Sequence, residues 1–477
     1  MNLLRRSDNR IVRHDTFWQG KFKAFAIQSV AVFILLQLLF LTTMLYLYGS
    51  FYKQSTRVHN MRVLFVDFDE GIIGRSVPAA YAQMQAHNFP TVETHSVTEY
   101  ATTMDVRNAV CQGHYWGAIY THSGASARLS AALEGGAAAT SYLANNTITV
   151  VWNAVRYPAF VASLVEANLQ QLGNAAGSVY KAMNGTAALQ SLNMTDNAAV
   201  QALLNPVTPT TAPIQPMTNG SRVMFNTAGM VMPVIAQFFF LMAINNISTQ
   251  MRFLSRLPRF DNYLIRFFLS VLYTFVGALC MSGYIWAYRE DWAVTSSDFA
   301  LTWMVLWLLM HIHYFVFDVA TAFVPMAFLP FIVLIWVILN ITSTVTPFEL
   351  DAGFYHWGYA LPAHNVYELL ISIWSEGCSN RSYRNLPILF AWWLVGNIAS
   401  VFATRHRCHK AEEFENNERV AWEERIIRGD QEETTARPTT ANSLEEAKTT
   451  GKPTRAHSFA EEGKRSEDRP RSVHSNA

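Results

Sequence analysis

The chain has 477 residues, 51% of them hydrophobic and only 15% charged, with a formal net charge of +1. A mean hydropathy of +0.11 is high for a soluble enzyme and low for a pure membrane bundle, so the composition mixes apolar spans with water-exposed parts. The small net charge hides basic clusters at residues 5–23, 252–266 and 405–410, each beside an apolar run, a pattern of membrane topology and not of nucleic-acid binding.

Residues 1–24 form a basic head with Arg5, Arg6, Arg10, Arg13, Lys21 and Lys23, followed by the uncharged run 25–48. That run is long enough to cross a bilayer core of ~30 Å, and the positive-inside bias keeps the head in the cytosol. It exceeds the ~7–15-residue core of a signal peptide, and no small-residue cleavage site follows, so it reads as a first span and not as a removable leader.

Residues 49–225 then lie on the exoplasmic side. Strands are expected at 62–67, 116–120 and 147–152, alternating with helices near 77–86, 125–133 and 160–172, which implies a large α/β domain. From Gly173 the composition shifts to Asn, Ala, Thr and Pro and reads as an extended linker back to the membrane. Asn145, Asn184, Asn193 and Asn219 open glycosylation sequons and are candidate acceptors on that side.

Five further spans are expected at 229–247, 267–288, 299–317, 322–340 and 386–404, giving a membrane domain over 226–404 and an exoplasmic loop at 341–385. The fold class is thus an α-helical membrane protein of six transmembrane helices, with the exoplasmic α/β domain inserted between the first and second. The fourth and fifth spans join tightly after Asp318, placed at the cytosolic interface, and Pro325 and Pro330 are expected to kink the fifth. Residues 405–477 read as a disordered cytosolic tail with one short amphipathic piece at 414–427. Ser458 and Ser472 follow arginines there, as some serines do in any Ser/Arg-rich tail.

The chemistry is sparse. Asp67-Phe68-Asp69, at the end of an apolar strand, resembles the first motif of haloacid-dehalogenase-type phosphatases and more loosely the acid pair of glycosyltransferases. Gly71 stands where the phosphatases carry Thr or Val, and strand-end acids also serve simply to cap the next helix. His87, His95, His114 and His122 lack metal-ligand spacing, and no Gly-x-x-x-x-Gly-Lys-Ser/Thr phosphate loop occurs. No cofactor, metal or catalytic set is therefore expected, and the chain does not read as an enzyme.

Inside the membrane, His311 and His313 are costly residues of the kind that mark substrate or proton pathways, although two positions apart they project to nearly opposite sides of a helix. Cys111 and Cys378 both fall on the oxidising side and are a candidate disulfide; Cys280 lies in a span, and the juxtamembrane Cys408 suits palmitoylation. In the last exoplasmic loop, Tyr355, Trp357, Tyr359, Pro362, His364 and Asn365 form either an aromatic interfacial belt or a re-entrant element lining a substrate path.

The run from Tyr355 to Asn365, the segment Arg384-Asn-Leu-Pro-Ile-Leu-Phe-Ala-Trp-Trp, Val63-Leu-Phe-Val-Asp and the stretch 113–119 resemble the fungal nitrosoguanidine-resistance membrane proteins over most of residues 25–405. More remotely, one span, a large external insertion and five spans are similar to ABC-2-type membrane subunits and phage-infection-protein relatives. The resemblance implies a plasma-membrane component of drug or toxicant resistance that exports lipids or amphipathic compounds. It would work with a separate nucleotide-hydrolysing subunit or as a homo-oligomer. Two other classes stay open: a membrane-tethered exoplasmic enzyme using Asp67 and Asp69, and a scaffold acting through the tail.

Overall fold

The computed structural model describes residues 15–436. The basic residues Arg5 to Arg13, and Ser458 and Ser472, lie outside them. The chain is mostly helical, and among the described residues six helices are long and apolar enough to cross a membrane. They are α1 (Lys21–Ser50), α7 (Ala228–Gln250), α8 (Arg259–Ala287), α9 (Ser296–Phe323), α10 (Leu329–Val345) and the first part of α12 (Ser382–Ala436). Each expected span has its helix, and most extend beyond the apolar window because polar ends such as Asn262 and Ser382 complete the hydrogen-bond ladder; the span expected at 322–340 is displaced, since α9 runs on to Phe323 and α10 begins only at Leu329.

Between α1 and α7 the chain makes a five-stranded sheet in the order β2-β1-β3-β4-β5. The strands are β1 (Arg62–Asp67), β2 (Thr91–His95), β3 (Gly117–Thr121), β4 (Ile148–Trp152) and β5 (Pro209–Thr211). β1 pairs in parallel with β2 and β3, β4 runs antiparallel to β3, and β5 returns parallel to β4. Alternation decides the layers. Val63, Phe65, Ile119 and Val150 face α2 (Ile72–Met84), α4 (Ala125–Glu134) and α5 (Ala167–Ser191), while Leu64, Val66 and Ala118 face α3 (Thr103–Cys111). The first of these layers runs on without interruption through Tyr157, Phe225, Trp292 and Tyr367 to the residues of α9, so sheet and spans share one core, and the described residues 15–413 form one compact unit.

Three expectations fail here for physical reasons. The stretch after Gly173 is not an extended linker: α5 continues to Ser191, α6 (Asn197–Leu204) follows, and β5 joins the sheet. Small residues made it look like a linker. In fact Gly173 lies so close to Pro209 that α5 can pack against the incoming β5 segment there only without a Cβ, and Gly177 sits tightly against Val207. Pro325 and Pro330 kink nothing, since α9 ends at Phe323, Pro325 precedes a short turn, and Pro330 occupies the first turn of α10, where its missing N–H costs no bond. Finally, α12 does not stop at residue 404 or fray at 411 but continues as helix to Ala436.

α11 (Pro362–Trp374) packs against α9 and α10, and almost every residue of it is buried. Cys378, just after it, is bonded to Cys111 at the end of α3, with Cα atoms 4.6 Å apart.

Candidate functional site

A cavity of about 550 Å³ opens between α8, α9 and α12. Phe267 and Val271 of α8, Leu301 and Leu308 of α9, and Phe390 and Trp393 of α12 line it, so its walls are almost wholly apolar. Leu301 and Phe390 at its rim are 51% and 55% exposed, which directs the mouth toward the surface a bilayer would cover. A pocket of this size and lining accepts an acyl chain or a drug-sized apolar body.

His311 is the one titratable group in that wall. Trp393 Nε1 donates to its Nδ1 at 3.1 Å, and an indole nitrogen can only donate, so the ring proton sits on Nε2. Nε2 in turn reaches Ser270 Oγ at 3.2 Å, and that hydroxyl donates to the carbonyl of Phe267 at 2.7 Å. The imidazole is thereby fixed as a neutral, doubly bonded group. His313 turns to the other side of α9 and accepts from Trp336 Nε1 of α10 at 3.0 Å. The two histidines therefore do not meet, and the cavity holds only the first.

One turn beyond His313, the α9 carboxylate of Asp318 is buried between two guanidiniums. Arg266 Nη2 of α8 donates to its Oδ1 at 2.6 Å and Arg407 Nη1 of α12 at 2.8 Å, while Ser400 Oγ donates to Oδ2 at 2.5 Å. Arg407 also holds the Asp318 carbonyl and Thr321 Oγ1. The expected interfacial loop acid is thus an interior clamp across three helices: in the absence of water its charge is tolerated only with such partners.

The loop expected to line a path is folded and largely closed. Tyr355 donates to the Tyr46 carbonyl of α1 at 2.9 Å, and Trp357 stays half exposed beside the Tyr46 ring. Pro362 opens α11, and Asn365 Nδ2 ties back to the carbonyls of Tyr359 and Leu361, each at 2.8 Å. His364 Nδ1 donates to the Ser343 carbonyl at 3.0 Å, and burial lowers its pKa, holding the ring neutral. Asp351, a residue no motif singled out, accepts from Thr346 Oγ1 at 2.8 Å in this loop, and desolvation pushes its pKa up to about 7. This group of side chains is distinct from the cavity, so the sequence's combined path of loop residues with His311 and His313 divides into separate places.

Asp67 and Asp69 are consumed by their own turn. Asp67 Oδ1 accepts from the N–H groups of Asp69 and Glu70 at 3.0 and 3.1 Å and from Thr121 Oγ1 at 2.6 Å. Asp69 accepts from the Ser126 N–H at 2.8 Å and from the Ser126 hydroxyl. The arrangement staples the β1 turn to the start of α4, the role of capping acids. Among the sequons, Asn145 is exposed, and Asn184 and Asn193 are partly so. Asn219 is buried with its amide on Ser221 Oγ, which leaves no room for a glycan and removes it as an acceptor in the folded chain.

No solved structure matches the chain. A family model described as a protein of unknown function, DUF3533, matches residues 32–398, from within α1 to within α12. Its match covers the sheet and the cavity, and of the Asp318 clamp it includes Arg266 and Asp318 but not Ser400 or Arg407; the chain belongs to this family.

Proposed function

We propose that this protein is a plasma-membrane carrier that takes an amphipathic lipid or toxic drug-like compound into the cavity between α8, α9 and α12 and moves it out of the membrane, giving resistance to such compounds. The observation that carries the reading is the cavity itself, apolar on nearly all sides and open at Leu301 and Phe390. Support for its orientation comes from the basic cytosolic clusters, which put the sheet region and the 341–385 loop on the exoplasmic side in an arrangement similar to ABC-2-type membrane subunits. The engagement of Asp67 and Asp69 in turn hydrogen bonds supports a carrier over an exoplasmic enzyme, with energy supplied in this reading by a separate nucleotide-hydrolysing subunit or through a second copy.

Filling the cavity tests this. Leu308→Trp, on its wall, is expected to lower tolerance to toxic amphiphiles at unchanged surface abundance, whereas Leu272→Trp, on the 64% exposed outer face of α8, leaves tolerance intact. Wild-type tolerance in a normally abundant Leu308→Trp protein would remove the cavity from the function.

A further inference from the structure

A second constellation lies where the exit of β4, the loop after α10, α11 and the start of α12 come together. Arg156 is buried there with its guanidinium 3.5 Å from the Trp116 ring centre, and its Nη2 stands 3.8 Å from Glu349 Oε1. Glu368 of α11 is also buried, 3.7 Å from Arg381 Nη1. Arg384 of α12 lies over the ring of Tyr359 at 5.0 Å. The fields of Glu349, Glu368, Arg381 and Arg384 all reach Tyr359, and those of Glu349, Glu368 and Arg381 all reach Arg156, so these are one group and not scattered surface pairs. Three guanidiniums face two carboxylates.

The hydrogen bonding is incomplete in a patterned way. Both ion-pair separations exceed the reach of a hydrogen bond. Arg156 Nη1, Arg384 Nη2 and Asn385 Nδ2 are buried donors with no partner among the described residues. His364 Nε2 and Asn365 Oδ1 are buried acceptors with none; the imidazole proton sits on Nδ1, where Ser343 accepts it. Buried polar groups in folded proteins are nearly always paired, and the five unpaired atoms on these neighbouring residues, beside one excess positive charge, are groups that a polar ligand could satisfy.

We propose that this constellation binds the headgroup of a zwitterionic phospholipid, its phosphate on Arg156, Arg384 and Asn385 and its primary ammonium among Glu368, His364 and Asn365. Guanidinium forks match phosphate oxygens in pairs, and a carboxylate with two neutral acceptors matches the three N–H bonds of an ammonium. The source is a membrane lipid and not a soluble phosphoester because Arg384 stands in the first turn of a span. Below it, Leu386, Phe390 and Leu394 form an exposed apolar stripe at helical spacing along which acyl chains can lie. The headgroup residues line no part of the cavity, although Leu386 and Phe390 of the stripe do, so recognition of the headgroup does not depend on whether the cavity carries cargo.

The test uses the full chain purified in mild detergent, with thermal midpoint and co-purified lipid measured after adding phosphatidylethanolamine, phosphatidylglycerol, diacylglycerol or soluble phosphoethanolamine. Phosphatidylethanolamine is expected to stabilise most, phosphatidylglycerol less and diacylglycerol not at all, with soluble phosphoethanolamine acting only at far higher concentration. Arg384→Gln should weaken both phospholipids about tenfold. Glu368→Gln should abolish the preference for phosphatidylethanolamine while sparing phosphatidylglycerol. Equal response to all lipids, or full stabilisation by soluble phosphoethanolamine at the lipid's concentration, overturns the proposal. So does a wild-type ranking in both variants. Should either variant fail to fold, the wild-type ranking alone decides.

Discussion

Arg266 Nη2 on α8 and Asp318 Oδ1 on α9 are 2.6 Å apart in the interior of the helix bundle, and the same oxygen takes Arg407 from α12. Removing the carboxylate leaves two guanidiniums facing each other away from water. Asp318→Asn is therefore expected to cost roughly 3–5 kcal/mol and to lower both the yield of monodisperse protein and its thermal midpoint. Asp318→Asn combined with Arg407→Gln restores the original excess of one positive charge and should recover part of that loss. A single variant melting like wild type would show that the clamp contributes nothing.

The buried Asp351 carboxyl gives the loop after α10 a pH response. Its pKa in the fold, about 7, lies above the ordinary 3.8, so the folded state holds the proton more tightly than the unfolded chain does. The resulting stabilisation is complete below about pH 4 and is lost as pH rises through 7, to the extent of a few kcal/mol at most. His364 works in the opposite sense: its lowered pKa contributes stability above 6.5 that is lost on acidification. Comparison with Asp351→Asn separates the two, because Thr346 and Gln54 can still donate to the amide oxygen. The variant should melt higher than wild type at pH 8, and the gap should shrink as pH falls through 7 and close only below about pH 4; a constant gap would refute the assignment.

Glycosylation should follow exposure. Asn145→Gln is expected to reduce the mobility shift that glycosidase produces, and Asn219→Gln to leave it unchanged, because one side chain faces water and the other is enclosed. An equal effect of both changes would mean that modification precedes the burial of Asn219.

The six spans were readable because an 18-residue apolar window leaves few alternatives, and the opposed directions of His311 and His313 followed from helical periodicity alone. What escaped was either polar or non-local. β2, Thr-Val-Glu-Thr-His, is a half-exposed edge strand with one aliphatic residue, and β5 is only three residues long. Asp318 looked like a loop acid because its partners lie 52 and 89 positions away. Arg156, Glu368 and Arg384 carry no motif at all; their proximity exists only once the segment after β4 meets α11 and α12. The loop aromatics were found by composition, but only the packing tells a folded cover from an open path.

The bond between Cys111 and Cys378 also fixes a parity. Four membrane-crossing helices, α7 to α10, lie between the two cysteines in the sequence. An even number of crossings returns the chain to the face it left, whereas an odd number would strand the two thiols on opposite leaflets, beyond the reach of any covalent bond. The disulfide is thus a count of crossings written into covalent structure, independent of loop charge. It also sets a biosynthetic order, since the second thiol becomes available only after the fourth crossing has been threaded.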